Sequence, residues 1–239
     1  MGKTLLWIES GGCSGESMAI LGLDGPFVVG GYNLAQFLDN EGVRLLWHPS
    51  LSLESPLQLL TIVDAIVCGR EELTFCLEGS VIHGPSGSGM YDSIHGKPKR
   101  DLIAALCIKS EYVLAMGTCA AFGGIPAAPP NPTESSGLQF TLDRPGGLLN
   151  PEWRSRAGFP VFNLSGCPVD AVTMLRTMSL IINGAPSTLD ALNRPSTVRP
   201  CLSDESRRKC RTAEKVGYSC YNCIGARFPI GKRLFRHAE

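Results

Sequence analysis

The chain has 239 residues, a formal net charge of zero at pH 7, 44% apolar residues and 18% charged residues, as expected of a globular protein. No apolar run approaches the ~20 residues that a transmembrane helix needs, and no basic segment is interleaved with the aromatic residues that stack on bases. We therefore expect no transmembrane segment and no nucleic-acid partner.

Short apolar runs alternate with helical patterns along the chain. Buried parallel strands are predicted at Thr4–Ile8, Val43–Trp47, Leu73–Leu77, Tyr112–Met116 and Val161–Leu164. Helices are predicted near Tyr32–Asp39, Ser55–Cys68, Lys97–Lys109 and Val169–Ile182. The buried face of the second helix is expected to contain Leu57, Leu60, Val63 and Val67. This alternation predicts an α/β fold with a doubly wound parallel sheet in flavodoxin-like order.

Two long loops and a polar tail interrupt this plan. His83–Gly96 is rich in glycine and Gly124–Asn150 is rich in proline, and loops of such length usually have a function or bind a partner. Gly84–Gly89 suggests a phosphate cradle only weakly, because the lysine and helix start of a P-loop are missing. We therefore divide the chain into a flavodoxin-like domain, residues 1–184, and an irregular C-terminal tail, residues 185–239.

Three cysteines are predicted to follow strands directly. Cys13, Cys119 and Cys167 each come after an apolar run and lie among glycines. Loops at the carboxyl ends of neighbouring parallel strands meet at one edge of the sheet, where ligands bind. Since small residues let a thiolate approach a bulky inorganic group, the three cysteines predict an iron–sulfur cluster. Cys68, Cys76 and Cys107 lie inside strand or helix patterns and are expected to be core residues.

The tail contains a second group of cysteines, namely Cys201, Cys210, Cys220 and Cys223. Their number and spacing fit either a structural zinc site or a 4Fe–4S cluster. Residues 199–239 also contain 10 Lys and Arg against 4 Asp and Glu, which predicts a basic segment that is solvated or faces a partner. The chain enters its first strand without an apolar leader, so we expect a cytoplasmic protein whose cysteines are not disulfide-bonded.

Together these motifs resemble the small, electron-transferring subunit of nickel–iron hydrogenases, in particular the soluble uptake or sensory branch. The resemblance rests on Gly12–Gly15, Glu78–Val81, Gly117–Pro126, Pro130–Glu134, Gly137–Phe140 and Gly166–Pro168. It is close from the first strand to about Gly147 and again at Val161–Val169, and it is thinner after Leu189. The resemblance implies that Cys13, Cys119 and Cys167 are ligands of a proximal iron–sulfur cluster.

Two departures from the family pattern bear on the clusters. Members of the family usually have a further cysteine where this chain has Glu16. Either Glu16 contributes a carboxylate to a 4Fe–4S cluster, or the cluster is 3Fe–4S, which we favour. The tail is also shorter than in longer members, and the resemblance of Cys220, Cys223 and Phe228 to the last cluster motif implies one further cluster, held by the four tail cysteines.

The resemblance implies a specific function and specific partners. The chain would relay electrons between the nickel–iron site of a large subunit, where H2 is oxidised or formed, and an acceptor protein or further subunit. It would form a stable heterodimer, with Gly12, Ser14 and Gly123 at or near the interface. Three alternatives stay open, namely a hydrogen-sensing complex, a zinc-bearing flavodoxin-like interaction protein and a flavin-binding redox module.

Overall fold

A computed structural model describes residues 3–23, 33–69, 72–186 and 188–197. The strands are β1 (Lys3–Glu9), β2 (Val43–Trp47), β3 (Glu72–Glu78), β4 (Ser93–Ile94), β5 (Lys97–Pro98), β6 (Tyr112–Met116), β7 (Phe140–Thr141), β8 (Arg144–Pro145) and β9 (Phe162–Leu164). The helices are α1 (Gly15–Leu21), α2 (Leu34–Glu41), α3 (Pro56–Cys68), α4 (Lys99–Lys109), α5 (Gly117–Phe122) and α6 (Ala171–Ile182). None of the helices in these ranges is long and apolar enough to cross a membrane.

Five parallel strands form the central sheet, in the order β2-β1-β3-β6-β9. Numbered along the chain, these five strands follow the flavodoxin-like order 2-1-3-4-5, which confirms the predicted fold class. The four short strands pair in two antiparallel ribbons, β4 with β5 and β7 with β8. The carboxyl ends of the five sheet strands therefore lie at one edge of the sheet, as the strand-end cysteines require.

Helices cover both faces of the sheet, and β1 contributes alternate side chains to the two layers. Leu6 and Ile8 of β1 pack in the layer that contains residues of α3, α4 and α5. Leu5 and Trp7 pack in the layer that contains residues of α1, α2 and α6. Because both faces are buried, the strands are continuous apolar runs rather than alternating ones.

Helix α3 begins with the predicted signals but buries a different row of side chains. Ser55 caps the helix, with its side chain accepting from the Gln58 N–H while the Gln58 side chain accepts from the Ser55 N–H. The buried residues are Leu59, Leu60, Val63 and Ile66. Leu57, predicted to be buried, is 57% exposed. The helix is apolar on several sides, so spacing alone does not distinguish one row from its neighbour.

The long loop after α5 is ordered around one buried amide side chain. Gln139 is 1% exposed. Its Nε2 donates to the carbonyls of Asn150, Pro151 and Trp153. Its Oε1 accepts from the N–H of Val161, which leads into β9, and from the Asn193 side chain. The proline-rich segment is therefore tied to the edge strand β9 by hydrogen bonds that a sequence pattern does not reveal.

The three cysteines predicted to lie in the core differ in exposure. Cys76 in β3 and Cys107 in α4 are buried, as predicted. Cys68 is exposed, contrary to the prediction. It is the last residue of α3 and lies outside the row of side chains that packs on the sheet.

Candidate metal centre

The three strand-end cysteines lie on loops at the carboxyl edge of the sheet. Cys13 follows β1, Cys119 lies in the first turn of α5 directly after β6, and Cys167 follows β9. The last two loops are joined by reciprocal hydrogen bonds, since the Thr118 N–H donates to the Gly166 carbonyl (2.8 Å) and the Gly166 N–H donates to Thr118 Oγ1 (3.1 Å). The fold thus brings the predicted residues to one side of the molecule.

The electrostatics of Cys119 indicate that these side chains are neighbours. Burial, followed by the negative charges of Cys167, Glu16 and, more weakly, Cys13, raises the pKa of the Cys119 thiol to about 12. The N–H of Ile125 donates to Cys119 and acts in the opposite direction. Without a metal, the Cys119 thiol is therefore protonated at neutral pH, and metal binding must release this proton.

Small residues surround the sulfur atoms. A Cβ at Gly124 would lie 2.6 Å from Cys119 Sγ, and a Cβ at Gly15 would lie 3.4 Å from Cys13 Sγ. A Cβ at Gly117 would collide with the carboxyl group of Glu16. Gly124 and Gly117 also have positive φ angles of 55° and 86°, so the backbone here favours glycine on two counts. These positions form a cradle that side chains would fill.

The three thiols supply the type of donor that an iron–sulfur cluster needs. Such a cluster is held by thiolates on separate iron atoms, and these thiols lie on three separate loops at one edge of the sheet. Within the described ranges, no three His, Cys, Asp or Glu side chains form a site for a single metal ion.

Glu16, which replaces the usual cysteine of the resembled family, lies in the first turn of α1 and is 8% exposed. Burial, the charge of Glu78 and a hydrogen bond between the two side chains together raise the pKa of its carboxyl group to about 8, and burial has the largest effect. The Glu16 side chain is consequently protonated at neutral pH in the metal-free chain. As at Cys119, metal binding at Glu16 would have to release this proton.

Glu78 caps helix α1 from a neighbouring strand. It ends β3, is fully buried, and its Oε1 accepts from the backbone N–H groups of Glu16 and Ser17 at 3.0 and 3.1 Å. Its Oε2 accepts from the Ser17 hydroxyl and from Trp7 Nε1. The N-cap residue Ser14 makes no side-chain cap of its own. A carboxylate at a helix N-terminus is stabilising, so Glu78 fixes the start of α1 next to the Cys13 loop.

His48 extends this buried network and was not predicted from the sequence. It follows β2, is fully buried, and its Nδ1 accepts from the Ser50 N–H at 3.1 Å. Its Nε2 therefore carries the proton and faces Ser17 Oγ at 3.5 Å. Burial lowers the pKa of His48 to about 4, against the opposing charge of Glu78, so the ring is neutral. The one sequence signal for a role of His48 in the site was its position directly after the predicted buried strand Val43–Trp47.

The glycine-rich loop does not offer an open phosphate cradle. The N–H groups of Ser86 and Gly87 donate to the Glu134 carboxylate at 2.7 and 2.8 Å, so a side chain of this protein already occupies that position. His83 is not fully exposed and shares a hydrogen bond with Ser136 Oγ at 2.7 Å. Burial, and then the charge of Arg100, lower the pKa of His83. His95 is exposed.

Two further groups of predicted residues have different outcomes. Gly123, which was predicted to lie at or near the partner interface, is buried because the loop after α5 folds back over it. A Cβ at Gly123 would collide with Ala127, and its φ angle is 85°. Bulky substitutions there should therefore unfold the chain directly. Cys201, Cys210, Cys220 and Cys223 lie outside the described residues.

Glu16 should make the stability of the metal-free chain depend on pH. Between its ordinary pKa of 4.5 and its folded pKa of about 8, only the folded state holds the proton. The contribution of Glu16 to the free energy of unfolding should therefore be highest below pH 4.5. It should fall as the pH rises towards 8 and then level off. Urea denaturation from pH 5 to 9 tests this, and Glu16→Gln should flatten the slope. An equal slope in the variant would contradict the assignment.

Comparison with known proteins finds one matching family model and several relatives named as hydrogenase small subunits. Residues 13–181 match the profile of the family described as NADH ubiquinone oxidoreductase, 20 Kd subunit. The chain is 27% identical over 220 residues to the F420 non-reducing hydrogenase II small subunit of Methanosarcina mazei, which covers 82% of this chain and 54% of that protein. It is 28% identical over 194 residues to the Hydrogenase-2 small chain of Escherichia coli K12, with 80% and 46% covered.

A solved structure extends this similarity. In the actinobacterial-type NiFe-hydrogenase from Ralstonia eutropha H16, one chain matches with a TM-score of 0.66 and 26% identity, covering 88% of this chain and 64% of that chain. The chain spans about half the length of the curated relatives it matches. The match to the family model, residues 13–181, includes the loops of Cys13, Cys119 and Cys167.

Proposed function

Because this chain belongs to the family of the NADH ubiquinone oxidoreductase 20 Kd subunit, we propose that it is the electron-transfer subunit of a nickel–iron hydrogenase. The observation that carries the proposal is the convergence of the Cys13, Cys119 and Cys167 loops within the matched region. The names of the relatives, which are hydrogenase small subunits, agree with it.

The proximal cofactor in this proposal is an iron–sulfur cluster bound by Cys13, Cys119 and Cys167. When bound, the cluster would accept and donate single electrons. The Ile125 N–H would donate to the Cys119 sulfur, as it does in the metal-free chain, and would stabilise the more reduced state. The glycines at 117 and 124 let the Glu16 carboxyl group and Cys119 pack directly against the backbone, which places both side chains beside the proposed cluster.

We favour a three-iron form of this cluster over a four-iron form. The three thiolates would each bind a different iron atom, which satisfies a 3Fe–4S cluster. The carboxyl group of Glu16 is protonated at neutral pH and hydrogen-bonded to Glu78. Using it as a fourth ligand would break its hydrogen bond to Glu78 and would leave two buried carboxylates side by side.

The partner in this proposal is a large subunit that holds the nickel and iron, where H2 would be split or formed. It would cover the carboxyl edge of the sheet, where exposed apolar side chains lie on the loops and the helix that surround the cysteines. These include Met18, Tyr91 and Ile125, which are 64%, 61% and 50% exposed. Apolar side chains grouped in this way are typical of an interaction surface.

The tail would complete the electron pathway. We propose that Cys201, Cys210, Cys220 and Cys223 bind a second cluster, which would pass electrons to a further carrier protein or subunit. The basic composition of residues 199–239 would attract an acidic carrier in a salt-dependent manner. Cytoplasmic localisation stays a prediction from the sequence.

Anaerobic purification of the native complex tests the proposal. We expect brown protein that contains iron, labile sulfide and a nickel-bearing companion, with the electron paramagnetic resonance signal of an oxidised three-iron cluster. A Glu16→Cys variant should gain one iron per chain, because the new thiolate supplies the missing ligand. A colourless protein that contains zinc and no iron, or an active monomer without nickel, would overturn the proposal.

A further inference from the structure

An ion pair shielded from solvent lies beside the Cys13 loop, outside the proposed ligands. Lys99 Nζ, at the start of α4, lies 2.8 Å from Asp92 Oδ1, and the two side chains are 23% and 15% exposed. The backbone N–H of Lys99 also donates to the Asp92 carbonyl at 2.8 Å. Lys99 and Asp92 are thus held together by both main chain and side chain.

This pair binds the end of β1. Lys99 Nζ donates to the carbonyl of Glu9, the last residue of β1, at 3.1 Å. The other carboxylate oxygen of Asp92 accepts from the hydroxyl of Ser10 at 2.7 Å. Lys99 therefore binds Glu9 and Asp92 binds Ser10, the two residues that begin the Cys13 loop.

Glu9 also binds the residue that follows Cys13. Its carboxylate Oε1 accepts from the hydroxyl of Ser14, the residue after Cys13, at 2.7 Å. A hydrogen bond between residues 9 and 14 closes the loop around Cys13 from within. The chain of contacts from Lys99 through Glu9 to Ser14 contains only two side-chain hydrogen bonds, each shorter than 3.2 Å.

We propose that Lys99 and Asp92 are positioning residues that hold the Cys13 loop, and that each charge of the pair shifts the reduction potential of the proximal cluster in its own direction. The inference rests on the proposed function, since it needs a cluster at Cys13. The two residues act with opposite sign, because a positive charge near a cluster favours the added electron and a negative charge disfavours it. In the wild type the two charges largely offset each other.

The sign of the effect separates this role from simple loosening of the loop. Lys99→Met leaves Asp92 unpaired and should shift the midpoint potential of the proximal cluster to more negative values. Asp92→Asn keeps an acceptor for Ser10 but leaves Lys99 unpaired, and should shift the potential to more positive values. Loosening alone would move both variants in the same direction or lower their iron content.

The experiment is a redox titration of the purified complex, monitored by electron paramagnetic resonance. Lys97→Met is the matched control, since Lys97 is exposed and lies two residues away. Its potential should equal that of the wild type. If Lys99→Met does not assemble, the inference is tested with Lys99→Arg and Asp92→Asn. Lys99→Arg should have the midpoint potential of the wild type, and Asp92→Asn should have a more positive one. The inference would be overturned if every variant had the same midpoint potential as Lys97→Met. It would also be overturned if Lys99→Met and Asp92→Asn shifted the potential in the same direction. A wild type without any iron–sulfur signal would instead overturn the proposed function.

Discussion

Replacement of Cys119 by alanine is expected to abolish hydrogen-dependent dye reduction by the complex and to remove the proximal iron–sulfur signal. Cys119 lies between the other two proposed ligands in chain order, and its thiol is electrostatically coupled to both Cys167 and Cys13. A cluster with three protein ligands has no substitute when one thiolate is lost. Cys13→Ala and Cys167→Ala should therefore have the same effect.

Two cysteines of the same chain provide matched controls. Cys107 is buried in α4 among apolar side chains, and Cys107→Ala should cost only about 1–2 kcal/mol of stability through lost packing. Cys68 is exposed at the end of α3, and Cys68→Ala should have no effect. Iron per chain and dye reduction rates are the measurements. Full metal content and activity in Cys119→Ala would refute the ligand assignment.

The strands were predictable because burial on both sides of a parallel sheet produces continuous apolar runs. The bounds of Val43–Trp47 and Tyr112–Met116 agree residue for residue with β2 and β6. The placement of the cysteines followed from the same pattern, since a loop residue after a parallel strand must lie at the carboxyl edge. Short-range hydrophobic spacing is thus enough to locate the candidate site.

The parts that were not predicted depend on contacts between distant residues. Helix α1 has seven residues, and its N-terminus is capped by Glu78, which lies about sixty residues further along the chain. Local propensity does not contain that information. The protonated state of Glu16 has the same origin, because it requires burial beside the same carboxylate. The contact of His48 with Ser17 was not predictable either, because the two residues are 31 positions apart in the chain.

Burial of loop residues was also beyond the reach of the sequence pattern. Gly123 and Ile125 both belong to the glycine-rich segment after Cys119, yet Gly123 is buried and Ile125 is 50% exposed. The difference arises because Ala127 and Gly137 of the following loop pack against Gly123, and the Ala127 N–H donates to the Gly123 carbonyl. Surface predictions for loops need this tertiary detail.

Ile125→Asp is expected to separate the chain from its large subunit without unfolding it. Ile125 is exposed beside Cys119, and its N–H rather than its side chain contacts the sulfur. An aspartate there would place a charge in the centre of an interface that, for permanent complexes, buries more than roughly 2,000 Å². Charges buried without a partner at such positions cost roughly 2–4 kcal/mol, or about 30- to 1,000-fold in affinity.

Ile108→Asp is the control, because it makes the same change at an exposed apolar position on the opposite side. Ile108 is 65% exposed and lies in the last turn of α4, which leads into the amino end of β6. Since the proposed interface covers the carboxyl edge, Ile108→Asp should leave the heterodimer intact. Native mass spectrometry of the two variants, with thermal unfolding measured in parallel, distinguishes the outcomes. Dissociation by both variants, or by neither, would mean that the large subunit binds elsewhere than over the Cys13 and Cys119 loops.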